Sequence, residues 1–163
     1  TGAIIPDLPI MLFYAFQKLV LHRSEQLIWG DIYFRPFWQN IFDVFNSIPF
    51  ILMGWLIAHK TKNNWLKAFS ASMFLHALFD FGFHHDDAHR HFFPFWDLRF
   101  ASPLSYWDPA HFGRAVAAGE IIGVLLASIF LWKHFRDWKL TSTVLSMLGM
   151  YAVYFYYVFT VWV

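Results

Sequence analysis

No cysteine occurs in the 163 residues, so disulfide staples and thiolate ligands are both excluded, and any metal must be held by His, Asp or Glu. Charge is scarce as well: Asp, Glu, Lys and Arg make up 14% of the chain, against about 25% in an ordinary soluble domain. That is too little ionic surface to keep a compact globule of this size in water. Nor is there a surplus of one sign. Twelve basic residues face 11 acidic ones, and a net charge of +1 gives nucleic acid no basic face to bind. Glycine and proline are few and show no period, and no heptad pattern runs, which removes collagen and coiled coil. No charged, apolar and small-residue succession marks a secretory signal. The chain starts at Thr1, and a further helix is expected upstream.

What is abundant is apolar: 58% hydrophobic and 23% aromatic residues, with a mean hydropathy of +0.42. Apolar runs cluster near the roughly 20 residues needed to cross about 30 Å of hydrocarbon. The expected fold is therefore all-α, a single integral-membrane domain over residues 1–163. It comprises about four spans, a short N-terminal re-entrant or interfacial helix and a long aromatic loop rich in His and Asp. Pro9 to Leu21 is too short for an upright span. His22 to Asn40, with Trp29, Tyr33, Phe37 and Trp38, has the rings that favour the headgroup layer. Spans are expected at Ile41 to His59, Trp65 to Phe83, Ala115 to Phe135 and Thr141 to Val163, and a small-residue seam (Ala117, Gly123, Ala127) on the third suits close packing. The turns Lys60 to Lys67 and Lys133 to Lys139 carry six Lys/Arg, whereas the two longer connections carry five over about 50 residues. The positive-inside rule places the short turns in the cytoplasm and the His/Asp loop on the non-cytoplasmic side.

The chemistry concentrates between positions 76 and 91. His76, Asp80 and His84 recur every four residues, so on one helix they share a face with a drift of about 40° per step. Asp87 rejoins that face, and His85, Asp86, His89 and His91 add donors past the helix end. Imidazole plus carboxylate is the ligand set of zinc, manganese or iron in hydrolytic sites. The bland alternative is a hydrogen-bonded helix contact followed by a wet loop. Asp7, in Ile5-Pro6-Asp7-Leu8-Pro9, is either a distant ligand or a helix N-cap. Likewise, Asp43, Asn46 and Ser47 lie on one helical face that should point inward, as ligand-orienting groups or as helix-to-helix bonds, and Glu120 has the same two readings. His22 to Glu25 reads as a helix end with solvated charges, or as a ligand or anion contact. In the long loop, Arg90, Arg99 and Arg114 either grip a phosphate or lipid headgroup, or belong to an aromatic interfacial cap in which Arg99 pairs with Asp97 or Asp108.

With these residues in view, the chain resembles the membrane-bound metal-dependent hydrolases, also described as LexA-binding, inner-membrane-associated hydrolases. The resemblance runs over about residues 1 to 111. It lies in Gly2-Ala3-Ile4-Ile5-Pro6-Asp7-Leu8-Pro9, in Asn46-Ser47 where a His-Ser pair is common, and in His76-Ala77-Leu78-Phe79-Asp80. The run from His84 to His91, Ser102-Pro103 and Tyr106-Trp107-Asp108-Pro109 complete it. The family's His in the helix before Pro-Asp would precede Thr1, and Asn46 in place of His removes a ligand or base. The resemblance implies a divalent-metal site and hydrolysis at a bacterial-type inner membrane. On this reading Asp7, His76, Asp80 and His84 are metal ligands, with zinc the first expectation and manganese or iron the others. His85, Asp87 and His89 are the catalytic base or additional ligands, Arg90 and Arg99 contact the anion, and the substrate is an ester or phosphoester at the bilayer surface.

A second reading is a non-catalytic accessory or structural subunit of a larger redox or photosynthetic membrane complex. There the His residues would contact haem or pigment, and Tyr151, Tyr154, Phe155 and Val158 on the last helix would form a partner seam. A proton relay through Asp43, Asp80 and Glu120 is a third, with no inverted repeat behind it.

Overall fold

The computed structural model describes residues 2–106, 108–135 and 137–161, and these are helical with no strand among them. Two compact units divide the chain, residues 1–114 and 115–163.

In the first unit a single 3₁₀ turn, Gly2–Ile4, precedes α1 (Leu8–Ala15), which continues as a π-helical stretch over Phe16–Val20. A short α2 (Glu25–Leu27) runs into a second π-helical stretch, Ile28–Ile32, before α3 (Pro36–Phe45), α4 (Ile48–Lys60) and α5 (Asn64–Phe83). The connection from His22 to Glu25 is structural. His22 takes a left-handed φ of 51°, Arg23 donates to Gln17 (2.8 Å), Ser24 caps the next turn, and Glu25 pairs with Lys18 (2.7 Å). Phe13, Ile28, Ile32, Tyr33 and Phe42 form the apolar core, with Trp38 packed 4.9 Å from the Phe13 ring centre.

The expected first span differs in its bounds from the helical segment that is long and apolar enough to cross a membrane. The candidate span runs Pro36–Lys60, not from Ile41, because Pro36 occupies the first turn, where no N–H is needed. It is also interrupted. Asn46 leaves helical geometry, and Ser47 caps α4 by accepting from Phe50 N (3.5 Å), with Pro49 in the new first turn. The loop fills that break: Ile48 N donates to His91 O (2.8 Å) and Ser47 Oγ to Phe93 O (2.6 Å). α4 packs on α5, where a Cβ on Gly54 would meet Ser70 Oγ at 3.3 Å, and Gly54 with the fully buried Ala58 has the small-xxx-small spacing that lets backbones approach.

The Gly2–Ile4 turn lies against α5. A Cβ on Gly2 would sit 2.4 Å from Phe69 O and 2.9 Å from Ser72 Cβ, so only glycine fits. Ser72 is one helical turn before His76, and the close approach is what brings the following Pro6-Asp7 to that imidazole. Gly2→Val should therefore lower stability by about 1–3 kcal/mol, the cost of overpacking, and also displace Asp7. Thermal melting in detergent and bound-metal content should fall together, and a lowered melt with unchanged metal content would disconnect the turn from the site.

The second unit comprises α6 (Gly113–His134) and α7 (Trp138–Val161). α6 is the other helix long and apolar enough to cross a membrane. Glu120 is used between helices, accepting from the Tyr151 hydroxyl. At the expected small-residue seam, a Cβ at Gly123 meets nothing within 4 Å among the described residues. Of the expected partner seam, the side chains of Phe155 and Val158 lie outside the described residues, as does Trp107 of the loop motif.

Candidate metal centre

α5 contributes His76 and Asp80 one turn apart, and the Pro6-Asp7 turn brings in a third group. His76 Nε2 lies 3.0 Å from Asp80 Oδ2 and 3.4 Å from Asp7 Oδ1. The three ligand atoms fall within 4.8 Å of one another, and together could hold a metal ion. Asp7 stands at the N-cap position of α1, yet its side chain makes no capping bond. It turns to His76 instead, and Pro9 in the first turn needs no N–H partner.

The distances suit shared coordination as well as an imidazole–carboxylate hydrogen bond. His76 Nε2 is buried and makes no hydrogen bond of acceptable geometry, although two carboxylate oxygens are close. Two ligand atoms each about 2.1 Å from one ion, and about 90–110° apart, are themselves about 3.0–3.4 Å apart. Both separations, 3.0 and 3.4 Å, fall there.

The helix ends at Phe83, and His84 turns extended (φ −113°, ψ 132°) rather than continuing the face. Its Nε2 is still 3.6 Å from Asp80 Oδ1, while Nδ1 lies 2.9 Å from Asp87 Oδ2. His84 thus adjoins the three-residue group through Asp80 and stands outside it. Burial alone would pull the His84 imidazole down, but the carboxylates of Asp80 and Asp87 outweigh it and raise it to about 10. Burial pushes the Asp87 carboxyl up, and the stronger pull of His84 leaves it below the usual range.

Beyond the helix the remaining residues separate into two groups. His89 and His91 are each 2% exposed, their rings edge to face at 6.0 Å, and His89 is 5.7 Å from the His84 ring centre. His91 Nδ1 donates to Asn46 O (3.2 Å), which leaves its buried Nε2 as a bare lone pair; burial and the neighbouring His89 hold this imidazole down at about 4. His85 goes elsewhere. Its Nδ1 donates to Ser102 O (2.6 Å) and its ring stacks 3.6 Å from that of His111, which is paired with Asp108 (2.6 Å).

Arg90 and Arg99 are engaged by Asp43, a residue no part of whose surface is exposed. Asp43 Oδ1 accepts from Arg90 N (2.9 Å), and Oδ2 accepts from Arg90 Nε (2.6 Å) and Arg99 (3.4 Å). Arg90 also donates to Asn40 and Asp97, and Arg99 to Ala88 O (2.5 Å). The expected pairing of Arg99 with Asp97 or Asp108 is corrected: Asp97 takes Arg90 and Asp108 takes His111. Sequence spacing missed Asp43 as the anchor of this loop, because its partners lie 47 and 56 positions away.

Comparison with protein-family models, with curated proteins and with solved structures finds no match to the chain.

Proposed function

We propose that the chain is a membrane-embedded, metal-dependent hydrolase of the kind it resembles, with Asp7, His76 and Asp80 holding a divalent cation and His84 backing them through Asp80. The observation that carries this is the convergence of one imidazole nitrogen and two carboxylates within 4.8 Å of one another, His76 Nε2 being 3.0 Å from Asp80 and 3.4 Å from Asp7. Zinc fits the imidazole and carboxylate set, and when bound it would supply Lewis acidity to an ester or phosphoester and lower the pKa of a water toward about 7. The chain's own groups then orient and exchange protons. Asp87, which reaches the group through His84 (2.9 Å), would serve as the proton acceptor, with His89, which faces Asp43 Oδ1 (3.6 Å), as the further candidate. His85 is committed to Ser102 and His111, and the two arginines to Asp43, so the substrate's charge is met by the cation.

Four crossings complete the reading: Pro36–Lys60, α5, α6 and α7, with α5 about 30 Å long, enough for the hydrocarbon core. The basic turn after α4 faces the cytoplasm, and the metal group lies toward the opposite surface of an inner membrane. A lipidic substrate suits the fold. An apolar cleft of about 310 Å³, lined by Leu8, Pro9, Leu12, Phe13 and Trp38 among others, begins directly after Asp7 and would take an acyl chain.

Metal analysis of the full chain purified in lipid nanodiscs tests this. At least one equivalent of zinc or manganese is expected, with His76→Ala losing it and losing hydrolysis of a chromogenic phosphodiester or ester. Less than about a tenth of an equivalent in the unaltered protein would defeat the proposal.

A further inference from the structure

The turn between α6 and α7 opens a cleft of about 590 Å³, formed by residues of the second unit alone and lined by Ile129, Trp132, Lys133, Asp137, Trp138 and Thr141. That volume lies in the roughly 300–1,000 Å³ range of small-molecule sites. Two indole rings, one before the turn and one after it, form much of the wall, and both stand open: Trp132 is 67% exposed and Trp138 74%. Rings left that exposed at the end of a long apolar helix suit the headgroup layer of a bilayer.

The polar groups of the cleft decide what it can bind. Asp137 Oδ1 accepts from Lys139 N (3.3 Å) at the start of α7, and Asp137 O accepts from both Thr141 N (3.0 Å) and Thr141 Oγ1 (3.1 Å). The Thr141 hydroxyl proton is thereby spent. In the same turn His134 Nδ1 donates to Phe130 O (2.9 Å), with its ring stacked 4.1 Å from that of Phe130. The Lys133 ammonium makes neither an ion pair nor a hydrogen bond among the described residues. What the cleft still offers a ligand is one cation, with three N–H donors, beside two indole rings.

Charge around the cleft has the same sign. Residues 133–139 carry Lys133, Arg136 and Lys139 against Asp137 alone. Lys139 Nζ lies 5.9 Å from the centre of the Trp138 ring, which forms one wall. The positive-inside count puts this turn on the cytoplasmic side, where anionic lipids are concentrated and basic pockets between helices take their headgroups. A soluble anion would use the lysines and not the apolar wall, and an uncharged lipid the wall and not the lysines. An anionic phospholipid uses both.

We infer that the α6–α7 turn is a binding site for one anionic phospholipid, its phosphate against Lys133, Lys139 adding charge, and the first methylenes of its chains against Ile129, Trp132 and Trp138. The site goes beyond the hydrolase reading and shares with it only the membrane.

Native mass spectrometry of the full chain, released from detergent after incubation with dioleoyl phosphatidylglycerol, phosphatidylethanolamine or phosphatidylcholine, tests it. One phosphatidylglycerol should be retained about fivefold or more tightly than either zwitterionic lipid, and Lys133→Gln should weaken it about fivefold, the worth of one basic residue at a lipid surface. Lys133→Arg should keep the lipid, and Lys62→Gln, in the other basic turn, should leave it unchanged. His76→Ala should bind lipid as the unaltered chain does, whatever becomes of its metal, so that the two readings fail separately. Equal retention of phosphatidylethanolamine would hand the headgroup to Asp137 and overturn the inference, as would phosphatidylglycerol binding unchanged by Lys133→Gln. Displacement of the lipid by millimolar glycerol 3-phosphate would reassign the cleft to a soluble phosphate and overturn it equally. A chain that stays in solution without detergent or lipid would defeat the membrane reading and this site together.

Discussion

Replacing Asp43 by alanine is expected to destabilise the protein by about 3 kcal/mol and to release the His84 to Phe100 segment from the helices. Asp43 is wholly buried and accepts from the Arg90 backbone, the Arg90 guanidinium and Arg99. Removing one partner of a buried ion pair costs about 3–5 kcal/mol, because the charge left behind has lost both its partner and its water. The lower end applies here. Arg90 retains Asn40 and the largely exposed Asp97, so its charge is not stranded. In melting temperature this is about 6–12 °C, at the roughly 2–4 °C per kcal/mol usual for a chain of this size. Asp43→Asn should fall between, since an amide oxygen still accepts from Arg90 N but balances no charge, and Arg99→Ala should cost least because Arg99 is 38% exposed. Thermal melts in detergent give the ranking, and limited proteolysis of the loop gives its cause. An Asp43→Ala melt within 1 °C of the unaltered protein would mean that the loop is held by its aromatic contacts alone.

Asp43 lies at the limit of what residue spacing reveals, since its partners are 47 and 56 positions away. Composition and apolar run length made the all-helical character legible, with two helices long and apolar enough to cross a membrane, and i, i+4 spacing put His76 and Asp80 on one face because both lie inside a regular helix. Residues past Phe83 obey no period, so the fates of His85, which goes to Ser102 and His111, and of His89, which goes to Asp43, were open. Asp7 was legible as chemistry and ambiguous as geometry. Only the Gly2 approach to Phe69 and Ser72, a contact 67 positions apart in sequence, decides that it faces His76 and not its own helix. The inward face of Asp43, Asn46 and Ser47 was read from spacing, but its partner was not: it is a loop filling a helix break, and the break itself is signalled only by Ser47 and Pro49.

Chelation should produce the other large effect, and Asp80 should govern it. An ion bound only by the folded chain stabilises it by about 2.7 kcal/mol at one hundred times its dissociation constant, and by about 4.1 at one thousand times. EDTA added to the loaded protein should therefore lower the melting temperature by about 5–15 °C. Among the described residues Asp80 is the carboxylate paired with both His76 and His84, and it is itself buried. Asp80→Asn keeps the volume and the acceptor oxygen while removing the charge a divalent ion needs, so its melt should not respond to EDTA. Asp7→Asn should respond weakly, because Asp7 is 41% exposed and its place can be taken by water. His111→Ala, altering the stacked pair in the loop, should respond as fully as the unaltered protein. The order matters more than the size: an EDTA effect that survives Asp80→Asn and disappears in His111→Ala would move the stabilising ion off the helix and onto the loop, and the buried acids around His76 would then be balanced by protons instead.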